Sequence, residues 1–347
     1  MEGPLLHIRF PELRDALPHL SLGDRPTPVR PLPRLSEGAT AVWLKDEGAF
    51  GRGQWGGNKV RKLEWIIPDA RRRGARTILT FGGLGTNHGL ATALYAREHG
   101  LEVALGLVDQ PLDDHVRRQL NRLRRSGARI HLTHSKARTI AALPALVVRH
   151  ASGLRLPYLL PVGGSSPIGA LGYVEVALEL AAQVEGGAIP EPSHVVVPLG
   201  SGGTAAGLAL GLRLAGLRSR VVGMVVNEKL RLDPRSITSL ARRSARLLAR
   251  RGARLPEPEF GPGKITTPRD WLGPGYGHRT PEAERARVLA RDREGLELDP
   301  VYTAKAMAGL LAMNSRREFG DGPVLYIHTD GPRDDRDADA TRASHHV

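Results

Sequence analysis

No cysteine occurs among the 347 residues. That excludes disulfides and thiolate metal sites. Aromatic residues make up only 4%, so the core must be built from Leu, Val, Ile and Ala. No stretch approaches eighteen apolar residues, so no membrane span is expected. The N-terminal "MEGPLLHIRFPELRDALPHL" holds no apolar run fit for a signal peptide. Lysine is scarce too, since only seven of the fifty basic residues are lysine. Zinc-finger spacing, RNP-like aromatics and a basic zipper are all missing. The formal charge of +14 therefore reads as a solvated basic surface that attracts small anions, and not as a nucleic-acid or membrane interface. The expectation is a cytoplasmic enzyme acting on a small molecule.

What is present is a globular composition, 41% hydrophobic and 25% charged, long enough for two domains. Residues 1–40 are Pro-rich and read as irregular. From "AVWLKD" (41–46) onward, apolar strands alternate with helical segments. Examples are "TILTFGG", "EVALGLVD", "RIHLT", "SHVVVPL", "RVVGMVV" and "PVLYIHT". Helices between apolar strands imply right-handed crossovers and parallel sheets, hence an α/β fold. The tail "PRDDRDADATRASHHV" is polar and expected to be disordered. Its adjacent histidines read as solvated, and no metal is expected.

Three motifs carry chemistry. In "VVVPLGSGGTAAG" a strand runs into Gly200-Ser201-Gly202-Gly203-Thr204 and then a helix. Converging backbone N–H groups and a helix N-terminus suit a phosphate, although a tight strand–helix turn also uses glycine. No Gly-Lys-Ser/Thr follows, so this is not a Walker loop, and Ser201 lacks the frame of a nucleophile elbow. In "TFGGLGTNHG", Gly83, Gly85 and Gly89 form a loose dinucleotide fingerprint, with Asp109 near the end of the next strand. A nicotinamide enzyme is therefore an alternative. Thr86, Asn87 and His88 stand at that helix start, where they could bind a carboxylate or merely cap the helix. In "GGNKVRKLEW", Lys59 and Lys62 are three apart on one helix face. Two ammonium groups so placed repel. Lysine can be a neutral amine or form a Schiff base, as arginine cannot, which explains lysine here in a chain that prefers arginine.

Together these residues resemble the pyridoxal-phosphate enzymes of the tryptophan-synthase-β type, and more narrowly the D-cysteine desulfhydrase/1-aminocyclopropane-1-carboxylate deaminase family. The resemblance runs over about residues 26–329. It rests on "GGNKVRKLE", "PVGGSSPIGALGY", "GSGGTAAGLALG", "GPGYGHRTPE", "DPVYTAKAMAGL" and "YIHT" in that order. It implies that Lys59 carries pyridoxal 5'-phosphate, with Asn58 beside it and Asn87 bonded to the ring hydroxyl. Lys62 and the Gly200–Thr204 loop would hold the phosphate, and Thr329 would face the pyridine nitrogen. Thr86, Asn87 and His88 would receive the substrate carboxylate. Tyr276 and Tyr302 would line the substrate side, with Tyr302 the acid/base or gating group. The chain departs from the family pattern at Gly85, where a loop glutamine is usual, at Asp330, and in its charged C-terminal end.

The resemblance implies β-elimination from D-cysteine to pyruvate, ammonia and hydrogen sulfide, His88 leaning to that side of the family. The alternative is an aminocyclopropane-carboxylate deaminase giving 2-oxobutanoate and ammonia; a lyase or a hydrolase of amino-acid metabolism is thus expected. A homodimer is implied as well. The expected architecture is a tryptophan-synthase-β-like (fold type II) pair of domains. Residues 1–61 and 168–332 would form the larger and 62–167 the smaller, with the cofactor in the cleft between them and 333–347 as tail.

Overall fold

Parallel strands organise the chain in the computed structural model, which describes residues 3–36, 40–256 and 258–332. The expectation of a disordered tail concerns 333–347 and lies outside the described residues. The chain divides into two units. Among the described residues, one holds those up to His19, then Pro26–Glu47 and Ser165–Asp330; the other holds Leu20–Arg25, Gly48–Gly164, Gly331 and Pro332.

The first unit is built on a six-stranded sheet. Its order is Val29–Pro31, Val42–Asp46, Val324–His328, His194–Leu199, Arg220–Val225, Ile265–Thr266. Only the Val29–Pro31 edge pairs antiparallel; the other pairs are parallel. His194–Leu199 is the strand at which the chain reverses direction across the sheet. It runs on to Arg220–Val225 on one side, and the chain returns to Val324–His328 on the other. The carboxyl end of such a strand is where open α/β sheets bind ligands, and here it leads into Gly200.

Behind that end, helix Gly203–Leu214 crosses helix Pro167–Glu185 at close range. A Cβ on Gly211 would lie 2.6 Å from Ala177 Cβ, and one on Gly207 would collide with the Ala170 carbonyl oxygen. The two glycines thus let the helix backbones approach and fix the direction in which the Gly200 loop points.

The second unit has a four-stranded parallel sheet. Its order is Arg129–His134, Glu102–Val108, Thr77–Gly83, Tyr158–Leu160. Thr77–Gly83 is its reversal strand, and its carboxyl end leads into the Gly83–Thr86 turn. Both faces of a parallel sheet are covered, which is why "TILTFGG" reads as an apolar run.

The N-terminal stretch is not irregular throughout. Leu5–Arg9 and Leu13–Ala16 are short helices. The buried Glu175 carboxylate accepts Leu5 N–H at 2.9 Å and Leu6 N–H at 2.6 Å, while Leu6, Leu13 and Leu17 are buried. A distant carboxylate supplies the cap that the local sequence lacks. No helix among the described residues is long and apolar enough to cross a membrane.

Candidate functional site

In the second unit, Gly57 opens the helix Asn58–Arg72 with φ of 90°, a backbone suited to glycine. Lys59 and Lys62 lie in its first turn. Lys62 is 1% exposed and its Nζ donates to Gly163 O at 3.0 Å. Burial, and then the charge of Lys59, holds the Lys62 amine well below its ordinary value of 10.5.

His88 is buried beside the pair. Burial, then Lys59 and Lys62, holds its imidazole well below 6.5, so it is neutral at pH 7. Thr80 Oγ1 donates to Leu160 O at 2.9 Å and faces His88 Nε2 at 3.4 Å with its lone pairs. The proton therefore sits on Nε2. His88 Nδ1 is buried and has no hydrogen-bond partner among the described residues. A Cβ on Gly164 would lie 3.2 Å from His88 Cε1 and 3.5 Å from Lys62 Cδ, so both side chains crowd one glycine backbone.

At the head of helix Asn87–Glu98, Thr86 Oγ1 accepts Gly89 N–H at 3.1 Å and caps the helix. Gly82 and Gly89 give it room, since a Cβ on either would lie 2.6 or 2.5 Å from its side chain. Asn87 Oδ1 accepts a hydrogen bond from Gln119 Nε2 at 2.6 Å, leaving Nδ2 as the outward donor. Gln110 Oε1 accepts Gly85 N–H at 3.3 Å. A Cβ on Gly85 would lie 3.2 Å from Gln110 Nε2. A carboxamide thus reaches this turn from the neighbouring strand end, although residue 85 carries no side chain.

In the first unit, the Gly200–Thr204 loop opens the twelve-residue helix Gly203–Leu214. Gly202 is left-handed at φ of 93°, and no side chain caps the helix through it. A Cβ there would lie 2.9 Å from Ile237 Cδ1. Ser165 Oγ donates to Ser201 Oγ and accepts Gly203 N–H, both at 2.9 Å. Asn227 Nδ2 donates to Gly200 O at 3.0 Å. The loop is thus a backbone cradle, with Gly203 N–H engaged by Ser165 and Gly200 O by Asn227.

Tyr302 lies against that cradle: a Cβ on Gly200 would be 3.0 Å from Tyr302 Cε1. Its hydroxyl is 2.6 Å from that of Tyr276. Burial pushes both phenols above 10, so both keep their protons at neutral pH. One O–H lies within the pair, and the other remains to be donated. Asp299 fixes Tyr302 by accepting the N–H groups of Val301, Tyr302 and Thr303 at 2.7–2.9 Å. Lys305 Nζ fixes the loop of Tyr276 by donating to Leu272 O at 2.7 Å and Gly275 O at 3.1 Å. Thr329 is buried and follows the carboxyl end of Val324–His328, which runs parallel to His194–Leu199; both open on the same edge of the sheet.

Within the second unit, then, Asn58, Lys59, Lys62, Thr86, Asn87 and His88 gather at one sheet edge. Within the first, Gly200–Thr204, Tyr276, Tyr302 and Thr329 gather at another. Reading the sequence missed Gln119, Ser165, Asp299 and Gly163. Asp299 had a local signal, an acid just before "PVYTAK". Gly163 contributes only a carbonyl, which no residue type reveals.

The donor set fits a phosphorylated aldehyde. The lysine pair of the second unit suits the aldehyde, and the backbone cradle of the first, which a Cβ would fill, suits the phosphate. The comparisons agree. The family described as "Pyridoxal-phosphate dependent enzyme" matches residues 20–330, and the chain belongs to it. Among individual proteins it is similar to the D-cysteine desulfhydrase of Klebsiella pneumoniae (strain 342). The identity is 37% over 322 residues, covering 90% of this chain and 94% of that protein. A crystal structure of an ACC deaminase homologue aligns with a TM-score of 0.78 and 32% identity, covering 92% of this chain and 95% of that one. Threonine deaminase isoform 2 of Solanum lycopersicum aligns with a TM-score of 0.62 at 14% identity, covering 98% of this chain and 88% of that one; that likeness concerns the fold alone.

The protein is therefore a pyridoxal-phosphate-dependent lyase with the fold type II architecture. The hydrolase class, expected from the sequence beside the lyase class, is set aside. The relative at 37% identity is a desulfhydrase, and removal of a sulfur substituent by elimination breaks its bond without water attacking that bond.

Proposed function

We propose that this enzyme eliminates the β-thiol of D-cysteine, giving hydrogen sulfide, pyruvate and ammonia with uptake of one water. The observation that carries the reading is the lysine pair at the head of Asn58–Arg72. Lys62 is buried, with its Nζ donating to Gly163 O, which leaves Lys59 as the amine for chemistry. When bound, pyridoxal phosphate supplies an aldehyde for an amine to join and a ring that takes up electron density from Cα.

Lys59 Nζ would accept and hold the Cα proton of the substrate. Departure of the β-thiol follows. Tyr302 Oη, hydrogen-bonded to Tyr276 Oη, holds the proton for the leaving group. The Gly200–Thr204 backbone, with Lys62, takes the phosphate, beside Asn58 at the lysine. Asn87 Nδ2 donates to the ring oxygen, and the Thr329 hydroxyl meets the ring nitrogen as a neutral partner. Thr86, Asn87 and His88 receive the substrate carboxylate, His88 through its backbone N–H in the first helical turn, because its ring proton is turned to Thr80.

A second reading has one observation in its favour, the alignment with an ACC deaminase homologue. It predicts 2-oxobutanoate and ammonia from aminocyclopropane carboxylate. Assays for sulfide with pyruvate, and for 2-oxobutanoate, separate the two directly. Borohydride reduction and peptide mapping should label Lys59, and Lys59→Ala should lose the visible absorbance of the bound cofactor and all turnover. A labelled lysine elsewhere would sink the reading. A cytoplasmic location and a homodimer belong to the same proposal, supported by the family resemblance; fractionation and sedimentation of the holoenzyme test them.

A further inference from the structure

The helix Asp114–Arg125 buries three residues: Val116, Gln119 and Leu123. Their spacing of three and four is that of a core-facing stripe. The middle place, where a hydrophobe belongs, holds a glutamine that is 1% exposed. Burying a carboxamide is unfavourable unless it is hydrogen-bonded, and an apolar residue of the same volume would do at least as well for stability. The stripe's own packing therefore gives no reason for glutamine.

Its side-chain hydrogen bond among the described residues is the reason. Gln119 Nε2 donates to Asn87 Oδ1 at 2.6 Å. A carboxamide is two-faced, with an acceptor oxygen and a donor nitrogen that exchange places when it rotates by half a turn. Once Oδ1 is taken by a buried donor, Nδ2 must point the other way. Asn87 is the first residue of its helix, at the carboxyl end of the reversal strand.

Resting on the reading of Asn87 as a ligand of the cofactor's ring oxygen, we infer that Gln119 is a positioning residue. It fixes the Asn87 amide so that a donor, never an acceptor, meets that oxygen. The ionised form of the oxygen gains most from a donor. Loss of the orientation then moves the pH-dependent transition of the visible absorbance band to higher pH.

The test uses the holoenzyme with three substitutions. Gln119→Glu offers only acceptors to Asn87, so the amide turns over and presents Oδ1. The band's midpoint should rise by about one pH unit. Gln119→Met keeps the volume and removes the bond; the midpoint should rise by less, with the melting temperature held or raised. In both, kcat should fall while KM for the amino acid changes little. A Met variant that loses stability with an unmoved midpoint overturns the inference, because the glutamine would then serve packing alone. Asn87→Ala separates the two layers. If it moves the midpoint while neither Gln119 variant does, the inference fails and the reading of Asn87 stands. If it moves nothing, both fail.

Discussion

Two glycine turns stand at the reversal strands of the two sheets, and they are built on opposite principles. The turn after Thr77–Gly83 is rich in side-chain bonds. Thr86 caps its helix, Gln119 holds Asn87, Gln110 reaches Gly85, and His88 and Lys62 crowd the Gly164 backbone. The turn after His194–Leu199 offers mainly backbone. Gly202 replaces a capping side chain, and Ser165 and Asn227 only brace the loop. A backbone cradle suits a phosphate, whose many oxygens need many donors and little discrimination. A side-chain cluster suits groups that must be told apart or must exchange protons. The comparison therefore assigns different vulnerabilities. The cradle should tolerate pH and reject a Cβ at Gly202; the cluster should respond to protons.

The largest expected effect breaks the cradle. Gly202→Val forces a β-branched residue to φ of 93° and drives its side chain toward Ile237. Left-handed strain costs about 1–3 kcal/mol. Relief of it by moving the loop should weaken pyridoxal-phosphate affinity about 10- to 100-fold, the equivalent of about 1.4–2.7 kcal/mol. Equilibrium titration of the apoenzyme with the cofactor measures this. Unchanged affinity would show that the loop does not hold the phosphate.

Proton sensitivity sharpens the other side. His88 is held well below 6.5 in the folded chain and returns to about 6.5 when unfolded. The unfolded chain then binds this proton first. Stability is full above about pH 6.5 and falls as the pH drops toward the depressed folded value. His88 contributes about 1.4 kcal/mol per pH unit across that window. Urea unfolding of the parent and His88→Gln at pH 7.5, 6 and 5 isolates the share, because the other histidines cancel in the difference. Parallel pH profiles for the two proteins would mean that His88 is not the sensor.

Much of this contrast was legible in the sequence, for physical reasons. Strands covered on both faces read as apolar runs, and glycine turns directly after them locate the sheet edges. What lay hidden depended on distance along the chain or on modest burial. Helix Pro281–Glu294 buries only Ala283, Ala286 and Ala290. So weak a stripe is lost among charges, although Thr280 and Pro281 form a good helix start. The short N-terminal helix Leu5–Arg9 is capped by Glu175, 170 residues from Leu5. Gln119 gave no signal in the sequence because its partner, Asn87, lies on another helix. Gln110 is similar, since only the pairing of Glu102–Val108 with Thr77–Gly83 brings it to Gly85.

The smallest effect tests whether the side-chain turn depends on any one of its bonds. Thr86→Ala removes the acceptor of Gly89 N–H and leaves that donor at the first turn of a helix. Loss of such a cap costs about 1 kcal/mol. If the cost stays local, hydrogen exchange at Gly89 should quicken about fivefold, with a melting temperature lower by about 2–4 °C. The helix itself should survive, because Leu90, Ala91, Ala93 and Ala96 remain buried beneath it. The same substitution also takes a hydroxyl from the proposed carboxylate site, and the two losses separate in kinetics. A cap alone lowers stability with KM unchanged, whereas a substrate contact raises KM at constant stability. At the other turn the corresponding acceptor, Ser165 Oγ on Gly203 N–H, comes from outside the loop. Exchange at Gly203 and Thr204 should therefore respond to added cofactor and be indifferent to Thr86→Ala.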